Sequence, residues 1–89
     1  MTDQDESPLK FPCTFPIKVM GQASDDFDAK VFSIVRRHAP DLGEGALTRR
    51  ASRGGNYVSV TVVVNATSRD QLDAIYRELT ACDWVLMAL

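Results

Sequence analysis

His38 is the chain's only histidine, and Cys13 and Cys82 are its only cysteines. A lone imidazole cannot supply a multi-histidine metal site or a conventional triad. Two distant thiols have neither the spacing of a metal knuckle nor that of a redox pair. Pairing His38 with Cys82 or Cys13 leaves no third residue to orient the base. His38 follows Arg36 and Arg37 near the end of a predicted helix, where positive charge complements the exposed carbonyls, and that role explains it more simply. The expectation is a chain that does not catalyse, holds no metal or cofactor, and keeps both thiols free as in a cytoplasm.

Binding chemistry is better represented. Ser52, Arg53, Gly54, Gly55, Asn56 and Tyr57 place two glycines, a cation, an amide and a phenol in six consecutive positions. Glycine-exposed backbone N–H groups with a guanidinium beside them suit an anion or a carboxylate. The same residues also suit a plain hairpin turn. Met20, Gly21 and Gln22 precede a predicted helix whose first N–H groups attract negative charge, yet Asp25 and Asp26 already occupy that end and would repel an anion. A zwitterionic, amino-acid-like ligand fits that loop better than a phosphate, and Gly21 fits equally well as a turn glycine.

The elements that must position these groups follow from periodicity. Phe15, Ile17 and Val19 alternate with Pro16, Lys18 and Met20 in a first strand from Thr14 that ends at Gly21. Phe27, Val31, Ile34 and Val35 recur at helical spacing, with Ser24, Asp25 and Asp26 as capping candidates, and Pro40 stops the helix near Ala39. Residues 41–45 read as a loop and 46–53 as a polar edge strand. Val58, Val60, Val62 and Val64 alternate in a central strand after the glycine turn. Thr67 and Asp70 resemble a capping box ahead of a second amphipathic helix bearing Leu72, Ile75, Tyr76 and Leu79. Trp84 to Leu89 reads as a last strand.

This order predicts an α+β, ferredoxin-like β-α-β-β-α-β split sandwich: a four-stranded antiparallel sheet of order 4-1-3-2 with both helices on one face. Cys13 and Cys82 then begin antiparallel neighbours, about 20 Å apart by strand rise, too far for a disulfide. Lys18, Met20, Tyr57, Ser59, Thr61 and Val63 point away from the helices. They are joined either by Trp84, Leu86 and Ala88 or by Val85, Met87 and Leu89. Both sets are apolar, so a homodimer or another protein partner should cover the face, unless the N-terminal segment with Phe11 folds over it.

The 89 residues carry 45% apolar and 25% charged side chains with a formal charge of −2, enough for one modest core. Residues 1–10 are acidic and polar and are expected to form a disordered tail, leaving 11–89 as a single domain. No apolar run approaches the length needed to span a bilayer, so a cytoplasmic location is expected. The overall charge argues against binding nucleic acid chiefly by counterion release. Arg49, Arg50 and Arg53 could still grip a phosphate backbone, which keeps RNA binding as the alternative function.

Phe11-Pro12, Lys18 to Gly21, Arg37 to Pro40, Gly55 to Tyr57 with Ser59, and Asn65 to Thr67, taken together and in order, resemble the YbeD-like family of small bacterial proteins. The resemblance implies a fold similar to the metabolite-binding ACT regulatory domains. For that family no activity is established, and a link to lipoate metabolism has been proposed from genetic neighbourhood. The expected function is thus a small regulatory or adaptor domain binding a small metabolite or a partner protein. Lys18, Gly21, Gln22, His38, Ser52, Arg53, Gly54, Gly55, Asn56, Tyr57, Ser59 and Asn65 are the candidate contacts.

Overall fold

The computed structural model describes residues 10–89, so the predicted acidic tail lies outside the described residues except for Lys10. The elements are β1 (Cys13–Gln22), α1 (Phe27–His38), a short 3-10 turn (Glu44–Ala46), β2 (Leu47–Ala51), β3 (Tyr57–Ala66), α2 (Arg69–Ala81) and β4 (Val85–Ala88). The strands form one antiparallel sheet in the order β2-β3-β1-β4, which is the expected 4-1-3-2 arrangement.

The two long strands make the frame. β1 and β3 pair over ten positions from Cys13↔Ala66 to Gln22↔Tyr57. In β3 every second residue from Val58 to Ala66 is buried, and Ile17 and Val19 of β1 meet them from the neighbouring strand. Phe27, Val31, Ile34 and Val35 of α1 and Leu72, Ile75 and Leu79 of α2 close this layer from above. Burying each such side chain is worth about 2 kcal/mol, so the period-2 and period-3.6 patterns stabilise the sandwich only when they face each other. Among the described residues no polar or charged side chain is buried. Tyr76 of α2 packs at the margin of the core, and its partial burial raises the phenol pKa.

Several boundaries differ from the sequence expectation. β1 continues through Gly21 to Gln22 because β3 offers partners that far. The amide of Lys18 donates to Leu89 O across the β1–β4 boundary at 3.0 Å. The N of Pro16 points the same way as that of Lys18 and lies beyond the paired part of β4, so its missing N–H costs no ladder bond. The predicted loop 41–45 gives way to the 3-10 turn, and β2 is shorter than 46–53. The helix cap expected at Thr67 and Asp70 is displaced by one residue. Ser68 is the N-cap, and its Oγ accepts from Gln71 N at 3.1 Å. Gln71 Oε1 accepts in turn from Thr67 N at 2.7 Å, so the glutamine ties the residue before the cap to the first turn of the helix.

β4 departs most. Its register against β1 shifts between Met20↔Met87 and Gly21↔Val85, leaving Leu86 as an extra residue. Neither alternating set predicted for this strand faces outward as a whole. Val85 and Ala88 pack toward the core, while Met87 and Leu89 share the open face with Met20 and Lys18. The cause sits at Gly21, where an added Cβ would lie 2.3 Å from Phe27 Cε1 and 2.4 Å from the Trp84 carbonyl oxygen. Glycine within a strand commonly marks a bulge or the close approach of another backbone.

Gly21→Ala is expected to destabilise the fold by about 2 kcal/mol, in the middle of the range of overpacking costs, as measured by urea unfolding. Ser68→Ala should cost about 1 kcal/mol and Asp70→Ala clearly less; the reverse ranking would restore the cap to Thr67 and Asp70.

Candidate functional site

Antiparallel pairing of β1 with β3 places the end of the first strand beside the start of the third. Two sequence candidates thereby become one site. Gln22 pairs with Tyr57, and Ala23 N donates to Asn56 O at 3.0 Å, tying the β1–α1 loop to the hairpin turn. Gln22, Ala23, Gly55, Asn56 and Tyr57 line an open, mainly polar cleft of about 410 Å³. Beside it, sharing Gln22 and Ala23, a second hollow of about 290 Å³ is formed with Phe27, Asp83, Trp84 and Leu86. One composite surface therefore offers amides and a phenol on one side and an indole and a leucine on the other.

The hairpin is held by its own backbone. Ser52 N donates to Tyr57 O at 2.9 Å, Tyr57 N donates to Ser52 Oγ at 3.1 Å, and Gly55 N donates to Ser52 O at 3.0 Å. Gly55 adopts φ +76°, whereas Gly54 does not lie in the left-handed region. Ser52 thus closes the turn, and Arg53, exposed at its rim, forms no ion pair among the described residues. Gly21 is buried under Phe27 and Trp84 and shapes the site through packing.

The remaining candidates lie elsewhere. Lys18 and Ser59 stand in the middle of the open sheet face and line a shallow cleft with Thr48, Arg50 and Thr61. Asn65 is exposed opposite Thr14, at the other end of the sheet. His38 joins the two helices: its Nε2 is 2.7 Å from Glu78 Oε1, its carbonyl accepts from Gln71 Nε2 at 2.8 Å, and Arg37 also pairs with Glu78. The three hairpin arginines diverge. Arg49 faces the helices, pairing with Asp28 and donating to Ser24 O at 3.1 Å, while Arg50 faces the open side and Arg53 the turn.

Sequence reasoning did not name Ala23, Asp83, Trp84 or Leu86 as site residues. The available signal was the two-sided apolar character of the last strand. Lys30 Nζ stands 5.6 Å from the Trp84 ring centroid, a cation–π contact that steadies the half-exposed indole. Both cysteines are free. Among the described residues, no group of three or more His, Cys, Asp or Glu is arranged to hold a metal, and no helix is long and apolar enough to cross a membrane.

The model of a family described as "Protein of unknown function (DUF493)" matches residues 6–89. A UPF0250 protein of Chromobacterium violaceum is 46% identical over 89 residues, covering all of both chains. A UPF0250 protein of Ectopseudomonas mendocina is 47% identical over 92 residues, again with full coverage. The solution structure of protein HP0495 from H. pylori superposes with a TM-score of 0.71 at 13% identity, covering 100% of this chain and 97% of that one. That likeness speaks for the fold.

The two turn glycines should separate on substitution. Gly55→Ala is expected to cost about 1 kcal/mol for forcing a Cβ into the left-handed region, and Gly54→Ala close to nothing, since only Asn56 Nδ2 comes near, at 3.6 Å. Thermal or urea unfolding of the two variants checks this ranking.

Proposed function

This chain belongs to the DUF493 family, and we propose that it is a small non-catalytic regulatory domain that binds a zwitterionic, amino-acid-like metabolite between its β1–α1 loop and its hairpin turn. The observation that carries the reading is the bond from Ala23 N to Asn56 O at 3.0 Å, which joins the two candidate loops into one surface.

The chemistry of that surface is divided in the way such a ligand requires. Gln22, Asn56 and Tyr57 line the polar cleft, and the exposed Arg53 of the same turn is the charged donor we assign to a carboxylate. Asp83 lines the neighbouring hollow and supplies an anionic partner for an ammonium group. Trp84, Leu86 and the edge of Phe27 offer an apolar wall for a side chain or an acyl tail. A lone phosphate lacks the cationic end that Asp83 favours. The resemblance to the metabolite-binding ACT domains favours a small-molecule ligand, and the proposed lipoate link makes lipoyl compounds natural members of a ligand panel.

The divergence of Arg49, Arg50 and Arg53 gives RNA no continuous basic track, so the metabolite reading is preferred to nucleic-acid binding. A ligand that binds only the folded state raises the unfolding midpoint by mass action, about 2.7 kcal/mol at a hundredfold excess over Kd. A thermal-shift screen of the full chain against amino acids, lipoyl compounds, nucleotides and short RNA, at low and high salt, is therefore expected to give one salt-tolerant small-molecule hit. Asn56→Ala and Gln22→Ala should abolish that shift. A shift seen only with RNA and only at low salt would assign the chain to nucleic acid instead, and no shift from any small molecule would refute the metabolite site.

A further inference from the structure

The four strands contain no acidic residue, while Lys18, Arg49 and Arg50 lie on them. All acids among the described residues stand on the helices and connecting loops. The formal charge of −2 therefore hides a layered distribution. Arg49 is neutralised on the helix side by Asp28. Lys18 and Arg50 project from the open face and form no ion pair among the described residues.

Apolar surface is segregated in the same way. Among the described residues the large exposed apolar side chains lie on this face or along β4 and its approach. Lys18 divides the face in two. Toward β2 it borders Thr48, Arg50 and Thr61 in a polar cleft of about 240 Å³. Toward β4 it borders Met20, Met87 and Leu89, which are 41%, 50% and 68% exposed around a small hollow. A polar cleft bearing two cations and an apolar patch thus lie side by side at the centre of the sheet.

We propose that this face is a docking surface for an acidic amphipathic helix of a partner protein. Such a helix carries an apolar stripe flanked by carboxylates, matching the apolar patch and the two cations beside it in sign and in adjacency. It would complete a third layer, as α1 and α2 do on the other side. A second copy of the chain brings the same two unpaired cations to the interface, where like charges oppose association. Single-stranded RNA needs stacking platforms, and the middle of this face bears methionines, leucine and threonines in their place. Unbranched, adaptable Met20 and Met87 suit a groove that takes up a helix. The surface is separate from the cleft at Asn56, and its occupancy does not depend on a metabolite there.

A display library of helical peptides with randomised surface charge, selected against the full chain, tests this. Enrichment of peptides with a net negative charge is expected, their apolar residues at i, i+3, i+4 and i+7. Amide shifts of the labelled protein on adding an enriched peptide should map to residues of β1, β3 and β4 on the open face. The double variant Lys18→Glu/Arg50→Glu, with an unchanged circular dichroism spectrum, should bind the same peptide at least tenfold more weakly. Met20→Ser, which leaves the cations in place, should weaken it at every salt concentration. No enrichment, a neutral or basic consensus, or shifts confined to the helices would overturn the proposal. So would concentration-dependent self-association that Lys18→Glu/Arg50→Glu alters, or displacement of the peptide by oligouridine or anionic vesicles.

Discussion

The absence of a side chain at residue 21 is the constraint on which the rest of the molecule turns. Phe27 can press its ring onto the sheet, and the Trp84 carbonyl can approach the backbone of β1, only because no Cβ occupies the space between them. Phe27 is fully buried and opens α1, so this contact sets where the first helix meets the sheet. The Trp84 carbonyl sets where the last strand enters. The two features that border the candidate cleft, the helix start and the approach to β4, are thus positioned by one missing methyl group.

The same contact has consequences along β4. Bringing Trp84 close to Gly21 while Met87 stays opposite Met20 leaves one more residue on β4 than on β1, and Leu86 takes up the excess. A bulge reverses the alternation of a strand at one point. Val85 before it and Ala88 after it can therefore both pack toward the core, although three positions separate them. Leu86 is released toward the cleft, and Met87 and Leu89 are turned to the open face. The apolar half of that face and the apolar wall of the cleft are both products of this irregularity.

Charge follows the layers of the fold. The helices and loops hold the acids, of which Glu78 contacts Arg37 and His38 and Asp28 pairs with Arg49. These pairs are partly exposed and contribute little to stability. On the sheet and its hairpin, Lys18, Arg50 and Arg53 form no ion pair among the described residues. The cleft at the end of the sheet and the face along its middle accordingly present different chemistry: mixed amide, phenol and carboxylate in one, cation beside thioether and leucine in the other.

Much of this was legible in the residue order. Alternation in β1 and β3, helical spacing from Phe27 and Leu72, and the glycine pair before Asn56 are local patterns, and local patterns specify element type, order and facing because side-chain direction repeats with the backbone period. The topology followed from handedness and connection rules. The cap of α2 is ambiguous in the residue order because Thr67 and Ser68 are both competent caps, and only the donor that Ser68 finds, the amide of Gln71, separates them. What tertiary structure alone decided were relations between distant residues: the union of Gln22 with Asn56 and Tyr57, the diversion of Arg49 to Asp28, the clasp of His38 by Glu78, and the bulge at Leu86. Each depends on which groups the packed layers bring within a few ångströms, and no periodicity along the chain encodes that distance.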